Sequence, residues 1–234
     1  MPFLVSLALI PIALYIRHSL PETLEKPTED SGAQIVGSVF TRHTRLLVLG
    51  ILVMMASTVS TQVGNYMTTY ALKTLHLPGT VAQVATTLGG LMMFIFALVA
   101  GYLADKYGRR ITMIWPRFLL MIAIIPLFYW LAESGSVMVL MIVTVVVTML
   151  TGMSGAASLV AIPEMMPIKL RATGVSLIYA IGATLFGGTT QFILTWLIDR
   201  FGAVAPAYYV VITSILSLIA MFMMPETKDV DVKE

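Results

Sequence analysis

The sequence contains no cysteine and has few charged residues. Only 11% of its 234 residues are charged, whereas 58% are hydrophobic, and ordinary soluble domains carry about 25% charged residues. The missing thiols exclude disulfide frameworks, thiolate metal sites and cysteine nucleophiles. The shortage of charge excludes an ordinary soluble enzyme, a disordered protein and a basic nucleic-acid-binding face. The net charge of +2 is too small to indicate a polyanionic partner.

Long apolar runs account for most of the chain. A membrane-spanning helix needs about 20 mostly apolar residues. Short polar breaks separate most of the runs, including a turn at Leu77-Pro78-Gly79, a charged loop at 105–110 and a proline-containing charged loop at 163–171. The pattern predicts an all-α, multi-pass membrane protein. Its predicted spans are residues 1–16, 46–72, 81–104, 111–132, 136–160, 174–198 and 203–224.

The basic residues are distributed unevenly between the two predicted sides. Only Lys73 and Arg200 of the 14 lysines and arginines fall on one side. Cytoplasmic loops of membrane proteins carry an excess of lysine and arginine. We therefore expect the other side, with the C-terminus, to be cytoplasmic and the membrane to be the inner (plasma) membrane. That side carries Arg17, Lys26, Arg42, Arg45, Lys106, Arg109, Arg110, Arg117, Lys169, Arg171, Lys228 and Lys233.

A short repeat suggests how the chain is organised. Leu20-Pro21-Glu22-Thr23 follows the first span, and Met224-Pro225-Glu226-Thr227 follows the last. The first span is short for a membrane helix and lacks the basic start and cleavage site of a signal peptide. We expect residues 1–17 to be a remnant of the last helix of a preceding unit, and 18–45 a cytoplasmic linker. Residues 46–225 then form a six-helix transporter domain, and 226–234 form a cytoplasmic tail.

Three motifs resemble those of the major facilitator superfamily. The run Gly101-Tyr-Leu-Ala-Asp105-Lys-Tyr-Gly108-Arg109-Arg110 resembles its signature loop, G-x-L-x-D-x-x-G-R-R/K. Pro163-Glu164-Met-Met-Pro167, followed by Arg171 and Gly174, resembles its P-E-x-x-P-x-x-x-R-x-x-G element. The repeated Pro-Glu-Thr resembles the element after helices six and twelve. The stretch 180–191 is similar to the metabolite:proton symporter branch, which includes citrate, tricarballylate, oxoglutarate, shikimate and betaine carriers.

The resemblance implies a secondary active transporter without cofactors or catalytic residues. The family usually has twelve helices, so the sequence corresponds to a C-terminal half, either a fragment or one half of a split carrier. The implied activity is proton-coupled symport of a small metabolite, such as citrate or a dicarboxylate, by alternating access. An N-terminal half is then a required partner, and we expect no transport by this chain alone. A truncated module that does not transport, and a carrier of a zwitterionic osmolyte or another metabolite, remain alternatives.

The signature motifs predict a gate at the cytoplasmic side. Asp105 can pair with a basic residue, Gly108 permits a tight turn, and Arg109 and Arg110 can bind an acid or lipid phosphate. Gly101 is expected to allow two helices to approach closely. Glu164 and Arg171 form a second cluster. The alternative is that the basic residues only fix topology. The resemblance implies that the partner of Asp105 lies in the other half.

Polar side chains within the spans indicate a substrate cavity, because polar groups in lipid must face protein or water. The resemblance implies that the spans at 46–72, 81–104, 136–160 and 174–198 surround it. Packing between helices is the alternative, with an outer gate for Asn65 and Tyr66. The double glycine at 187–188 is expected to loosen its helix. The candidate residues are Thr58, Thr61, Gln62, Asn65, Tyr66, Thr151, Tyr179, Thr190 and Gln191.

Charged groups are scarce inside the spans. Arg117 is the one basic residue there, and we expect it to snorkel to the interface rather than face the cavity and bind an anion. The aspartates and glutamates fall at helix ends or in loops, although proton coupling usually uses an embedded titratable group. The proton site is therefore expected in the N-terminal half. The sequence shows no metal-ligand cluster and no nucleophile–base pair, which argues against a membrane enzyme.

Overall fold

The computed structural model describes residues 40–226, together with the single residues Pro11, Tyr15 and Gly37. The chain groups into two units, Met1–Gln34 and Ile35–Glu234, and the fold given below is that of the second. Most of the predicted first span, of the predicted linker and of the tail lies outside the described residues.

Six helices in the described part of the chain are long and apolar enough to cross a membrane. They confirm the six predicted spans from residue 46 onward. The helices are α1 Thr44–Lys73, α2 Gly79–Tyr107, α3 Arg109–Ser134, α4 Val137–Glu164, α5 Arg171–Phe201 and α6 Ala205–Met223. The helices extend beyond their apolar runs except at the start of α4 and at both ends of α6.

The connections are shorter than the sequence predicts. The charged stretch 105–110 is helical except at Gly108. The φ of +104° at this residue ends α2, and α3 begins at the next residue. Charged side chains do not end a helix that has reached the membrane surface, so the expectation of a charged loop there is wrong. In the stretch 163–171, α4 continues to Glu164, a 3-10 turn spans Ile168–Leu170, and α5 begins at Arg171. The turn at Leu77-Pro78 is confirmed, with α2 beginning at Gly79.

Two helices form the centre of the bundle. Helix α4 packs against α2 and α3, and α1 packs against α2, α4, α5 and α6. Helix α6 also packs against α3. Slightly more than half of the apolar stretch of α1 and of α4 is buried, whereas α2 and α5 bury less than a third of theirs. Helices α2 and α5 therefore flank the bundle and present one face each to its surroundings.

Close helix contact occurs at glycines other than the predicted one. An ideal Cβ at Gly152 of α4 would lie 2.8 Å from the carbonyl oxygen of Met93 on α2. One at Gly89 of α2 would lie 2.9 Å from the Thr144 side chain. An ideal Cβ at Gly101 would have no described neighbouring atom within 4 Å. The expectation that Gly101 allows close approach is wrong within the described helices, because α2 meets α4 along its Gly89 face.

Candidate functional site: a central cavity and a charged gate

A cavity of about 590 Å³ opens among α1, α2, α4 and α5. These are the four helices that the family resemblance implies. None of its described lining residues is charged, and most are small or apolar. The lining consists of Met54, Ser57, Thr58, Thr61, Gln62, Met93, Ala97, Thr151, Gly152, Gly155, Ala156, Ser158, Leu159, Ala183, Gly187 and Gly188.

Four of the predicted substrate-contact residues line this cavity: Thr58, Thr61 and Gln62 on α1, and Thr151 on α4. A smaller chamber of about 160 Å³ lies beside it and includes Thr61, Thr151 and Asn65 in its wall. The Thr151 hydroxyl is buried and has no hydrogen-bond partner among the described residues. Buried polar groups nearly always have a partner, so this hydroxyl is a strong candidate to bind a ligand atom.

Gln62 connects the cavity to a distortion in α5. Residues Gly182–Gly187 form a π-helical turn within α5. The loosening expected near the double glycine is this turn. The Gln62 side-chain amide donates to the Gly187 carbonyl oxygen at 2.9 Å, and Gln191 donates to the Gln62 carbonyl at 3.2 Å. Asn65 donates to Gln62 Oε1 at 3.1 Å. Single π turns inside α-helices frequently occur at functional sites.

The remaining predicted cavity residues lie outside the cavity lining. Tyr66 is buried and its hydroxyl lies 3.2 Å from the Thr195 hydroxyl on α5. Thr190 is fully buried and bonds to the Phe186 carbonyl one turn earlier. Tyr179 is half-buried, and Gln191 bonds to the α1 backbone. In this conformation Tyr66 and Gln191 join α1 to α5, which is the packing alternative.

Arg117 does not lie where the sequence predicts, and its partners are not among the predicted site residues. The Arg117 side chain on α3 does not reach the interface: it is fully buried. It donates to Ser60 Oγ at 2.7 Å, to the Ala56 carbonyl at 3.1 Å and to Ser57 Oγ at 3.1 Å, all on α1. Helices α4 and α6 pack against both α1 and α3, so the side chain is enclosed. Ser57 and Ser60, three residues apart on one face of α1, are the sequence signal that could have indicated a buried partner for Arg117.

The basic end of the bundle, where α2 meets α3, carries an ion-pair cluster. The Arg109 guanidinium bonds to Asp105 one turn earlier and to both carboxylate oxygens of Glu164, at 3.3 Å each. The predicted first cluster and Glu164 are therefore joined by one arginine. Asp105 has a partner within this half, contrary to the implication that its partner lies elsewhere. Arg171 Nε is buried without a hydrogen-bond partner among the described residues.

Glu226, whose role sequence reasoning did not assign, completes this end. Its carboxylate accepts from the backbone N–H groups of Arg109 at 2.9 Å and Arg110 at 3.2 Å, at the start of α3. A carboxylate at a helix N-terminus satisfies unpaired N–H groups and the helix dipole. Arg110 bonds in turn to the Phe222 carbonyl. Glu226, which follows α6, thus ties the end of α6 to the start of α3.

Comparison with known proteins gives a family match over most of the chain. Residues 16–234 match the family model described as "Sugar (and other) transporter". No solved structure matches.

Several curated proteins are similar to the chain at 27–30% identity. The ectoine/proline transporter of Corynebacterium glutamicum is 28% identical over 97% of this chain and 48% of its own length. A citrate-proton symporter of Salmonella typhi is 27% identical, covering 95% of this chain and 52% of its own length. An inner membrane metabolite transport protein of Escherichia coli is 30% identical, covering 97% and 54%. The chain thus spans about half the length of the curated relatives it matches.

Proposed function

The chain belongs to the sugar (and other) transporter family of the major facilitator superfamily, and from this premise we propose that it forms the C-terminal half of a proton-coupled symporter for a small organic acid. It is a multi-pass membrane protein of a family of transporters rather than enzymes. The proposed cargo is citrate or a dicarboxylate, carried with protons across the inner membrane. The C-terminus is proposed to be cytoplasmic.

The cavity is the observation that carries the proposal. Its walls combine a small, mostly apolar surface with a few hydroxyl and amide groups, among them Thr58, Thr61, Gln62 and Thr151. Sites for small molecules typically have this composition, in which a few placed polar groups orient the ligand. Its volume of about 590 Å³ falls in the range of small-molecule sites.

The ion-pair cluster of Arg109, Asp105 and Glu164 supports alternating access. It ties α2, α3 and α4 at one end of the bundle, and Glu226 adds α6. Such a cluster has two discrete arrangements, intact or broken, and so can serve as the bistable element of a conformational switch. We propose that it is intact in one access state and rearranges in the other.

A second six-helix half is part of the proposal. Helices α2 and α5 flank the cavity and leave apolar side chains exposed, including Phe94 and Leu98 on α2 and Leu185 on α5. We propose that the other half covers these faces and closes the cavity. The described lining holds no titratable side chain, so the proton-binding group is assigned to the other half.

A zwitterionic osmolyte is the second candidate cargo. The ectoine/proline transporter of Corynebacterium glutamicum matches the chain as closely as the citrate-proton symporters do. A carboxylate is common to citrate, ectoine and proline, so hydroxyl and amide donors in the cavity can serve either class. The net charge of the cargo distinguishes the two candidates.

Uptake into proteoliposomes tests the proposal. The chain is fused behind the N-terminal half of the Salmonella typhi citrate-proton symporter, and radiolabelled citrate, proline and ectoine are compared under an imposed inward proton gradient. We expect citrate uptake that a protonophore abolishes, and none by the chain alone. Robust proton-dependent uptake by the chain alone would contradict the proposed need for a second half. Preferential uptake of proline or ectoine by a monodisperse fusion would favour the second candidate, and no uptake of any of the three would contradict the transport proposal.

A further inference from the structure

Arg117 places an unpaired positive charge inside the bundle. The side chain is fully buried, and its three hydrogen bonds go to neutral oxygen atoms of Ala56, Ser57 and Ser60. Among the described residues no carboxylate pairs with it, since Arg109 holds both of the ion pairs found there. An arginine side chain stays protonated in proteins. Within the described part of the chain, a full positive charge therefore remains without a counterion beside α1.

Two serines lie between the Arg117 guanidinium and the cavity. Ser57 lines the main cavity and Ser60 lines the smaller chamber. Each serine oxygen accepts a hydrogen bond from the guanidinium, and no described acceptor takes either hydroxyl hydrogen. A hydroxyl that accepts from a cation is polarised and becomes a better donor. Ser57 is slightly exposed, whereas Ser60 is fully buried, so Ser57 can offer its hydrogen to a negatively charged group in the cavity.

Nothing in the described lining offsets this charge. The residues around both chambers include no aspartate, glutamate, lysine, arginine or histidine. Inside a protein the effective dielectric constant is lower than in water, so a single charge acts over a longer distance. With a dielectric constant of about 20–40 and a separation of about 10 Å, one charge changes the local concentration of a monovalent ion by roughly 4- to 15-fold.

We propose that Arg117, acting through Ser57 and Ser60, makes the cavity selective for anions. The cargo is then a molecule with net negative charge, and one of its carboxylate oxygens accepts from the Ser57 hydroxyl. This inference rests on the proposed function for the nature of the cargo, and it decides between the two candidate cargo classes. Arg117 is a positioning residue in this scheme, because the serines stand between it and the cavity.

The absence of cysteine from the sequence allows a direct measurement of the charge in the cavity. Thr61→Cys introduces a single thiol at a position that lines both chambers. The full chain is purified in detergent, and its modification rates with the negatively charged sulfonatoethyl and the positively charged trimethylammonioethyl methanethiosulfonates are compared. The ratio of the two rates, divided by the ratio for free cysteine in solution, reports the local potential.

We expect this normalised ratio to favour the anionic reagent by about tenfold or more. Arg117→Met should reduce it by at least about tenfold, whereas Arg117→Lys should largely retain it. Retention by lysine separates charge from structure, because lysine lacks the forked geometry that contacts both serines. Arg200→Met is the matched control: Arg200 is exposed at the end of α5 opposite the basic end, and its removal should leave the ratio unchanged.

Two results would overturn the proposal. One is a normalised ratio near one in the Thr61→Cys chain that retains Arg117. This measurement does not require any Arg117 variant to fold. The other is an unchanged ratio in a well-folded Arg117→Met chain. Neither result depends on transport. If the ratio behaves as expected while the fusion transports no cargo, the transport proposal fails and the anion-selective cavity stands. If the fusion transports citrate while the ratio does not change in the Arg117→Met chain, the transport proposal stands and the anion-selective cavity fails.

Discussion

The side-chain amide of Gln62 on α1 donates to the backbone carbonyl oxygen of Gly187, at the end of the π-helical turn in α5. The same side chain lines the cavity. The amide nitrogen has two hydrogens, so a cargo oxygen can accept the second while the first stays bonded to the Gly187 carbonyl beside the π turn. This arrangement links occupancy of the cavity to the shape of α5, a helix on the flank of the bundle.

Gln62→Leu should destabilise the fold and not only weaken cargo binding. The substitution removes the partly buried hydrogen bond to the Gly187 carbonyl, and such a bond contributes about 0.5–1.5 kcal/mol to stability. Unfolding in mixed micelles, followed by tryptophan fluorescence, measures the change. Thr58→Val is the matched control, since Thr58 lines the same cavity and valine has the same shape. Equal stability of the two variants would show that the Gln62 contact does not support the π turn.

Gly152→Ala should destabilise the contact between α2 and α4. The new methyl group would lie 2.8 Å from the Met93 carbonyl oxygen, and overpacking of this kind costs about 1–3 kcal/mol. Gly155→Ala is the control on the same helix, because a Cβ there meets open space within 4 Å. Alanine is a better helix former by up to about 1 kcal/mol. The same unfolding assay should therefore rank Gly155→Ala at or above the unsubstituted chain, and Gly152→Ala below it.

Gly108→Ala should disturb the gate at the basic end. Gly108 has a φ of +104°, and an added Cβ would lie 3.0 Å from Glu226 Oε2. A non-glycine residue held in such a backbone conformation costs about 1–3 kcal/mol, and displacement of Glu226 would uncap α3. Gly101→Ala, seven residues earlier and facing open space, should be tolerated. If both variants show the same unfolding midpoint and the same cavity-thiol reactivity in the Thr61→Cys background, the proposed role of Gly108 is wrong.

Thr151→Val should separate binding from stability. The Thr151 hydroxyl is buried without a partner among the described residues, so its removal should leave the fold as stable or stabilise it by about 1 kcal/mol. In the citrate-transporting fusion the same change should raise the KM, because a cavity donor is lost. Thr144→Val on the same helix removes a hydroxyl bonded to the Leu140 carbonyl at 2.8 Å and should leave the KM unchanged. A KM that does not respond to Thr151→Val would assign the hydroxyl no part in binding.

Some of the cavity could be predicted because a polar side chain in a membrane helix has few permitted places. Thr58, Thr61 and Gln62 recur along α1 at helical spacing, and all three line the cavity. Tyr66 belongs to the same pattern on α1, and Gln191 is a predicted polar residue of α5, yet both bond between α1 and α5 outside the lining. Hydrogen bonding between helices and exposure to water satisfy a polar group equally well, so the pattern alone could not distinguish them.

The sequence by itself determined the six spans, because a backbone in lipid must satisfy its own hydrogen bonds within long apolar helices. It also determined the signature motifs and the absence of charge from most of each span. Only the tertiary structure decided what Arg117 and Glu226 contact. Arg117 meets Ser57 and Ser60 on α1, and Glu226 meets the start of α3. These partners are 57 to 117 residues apart in the chain, so they come together only when packing has fixed how each helix is rotated about its axis.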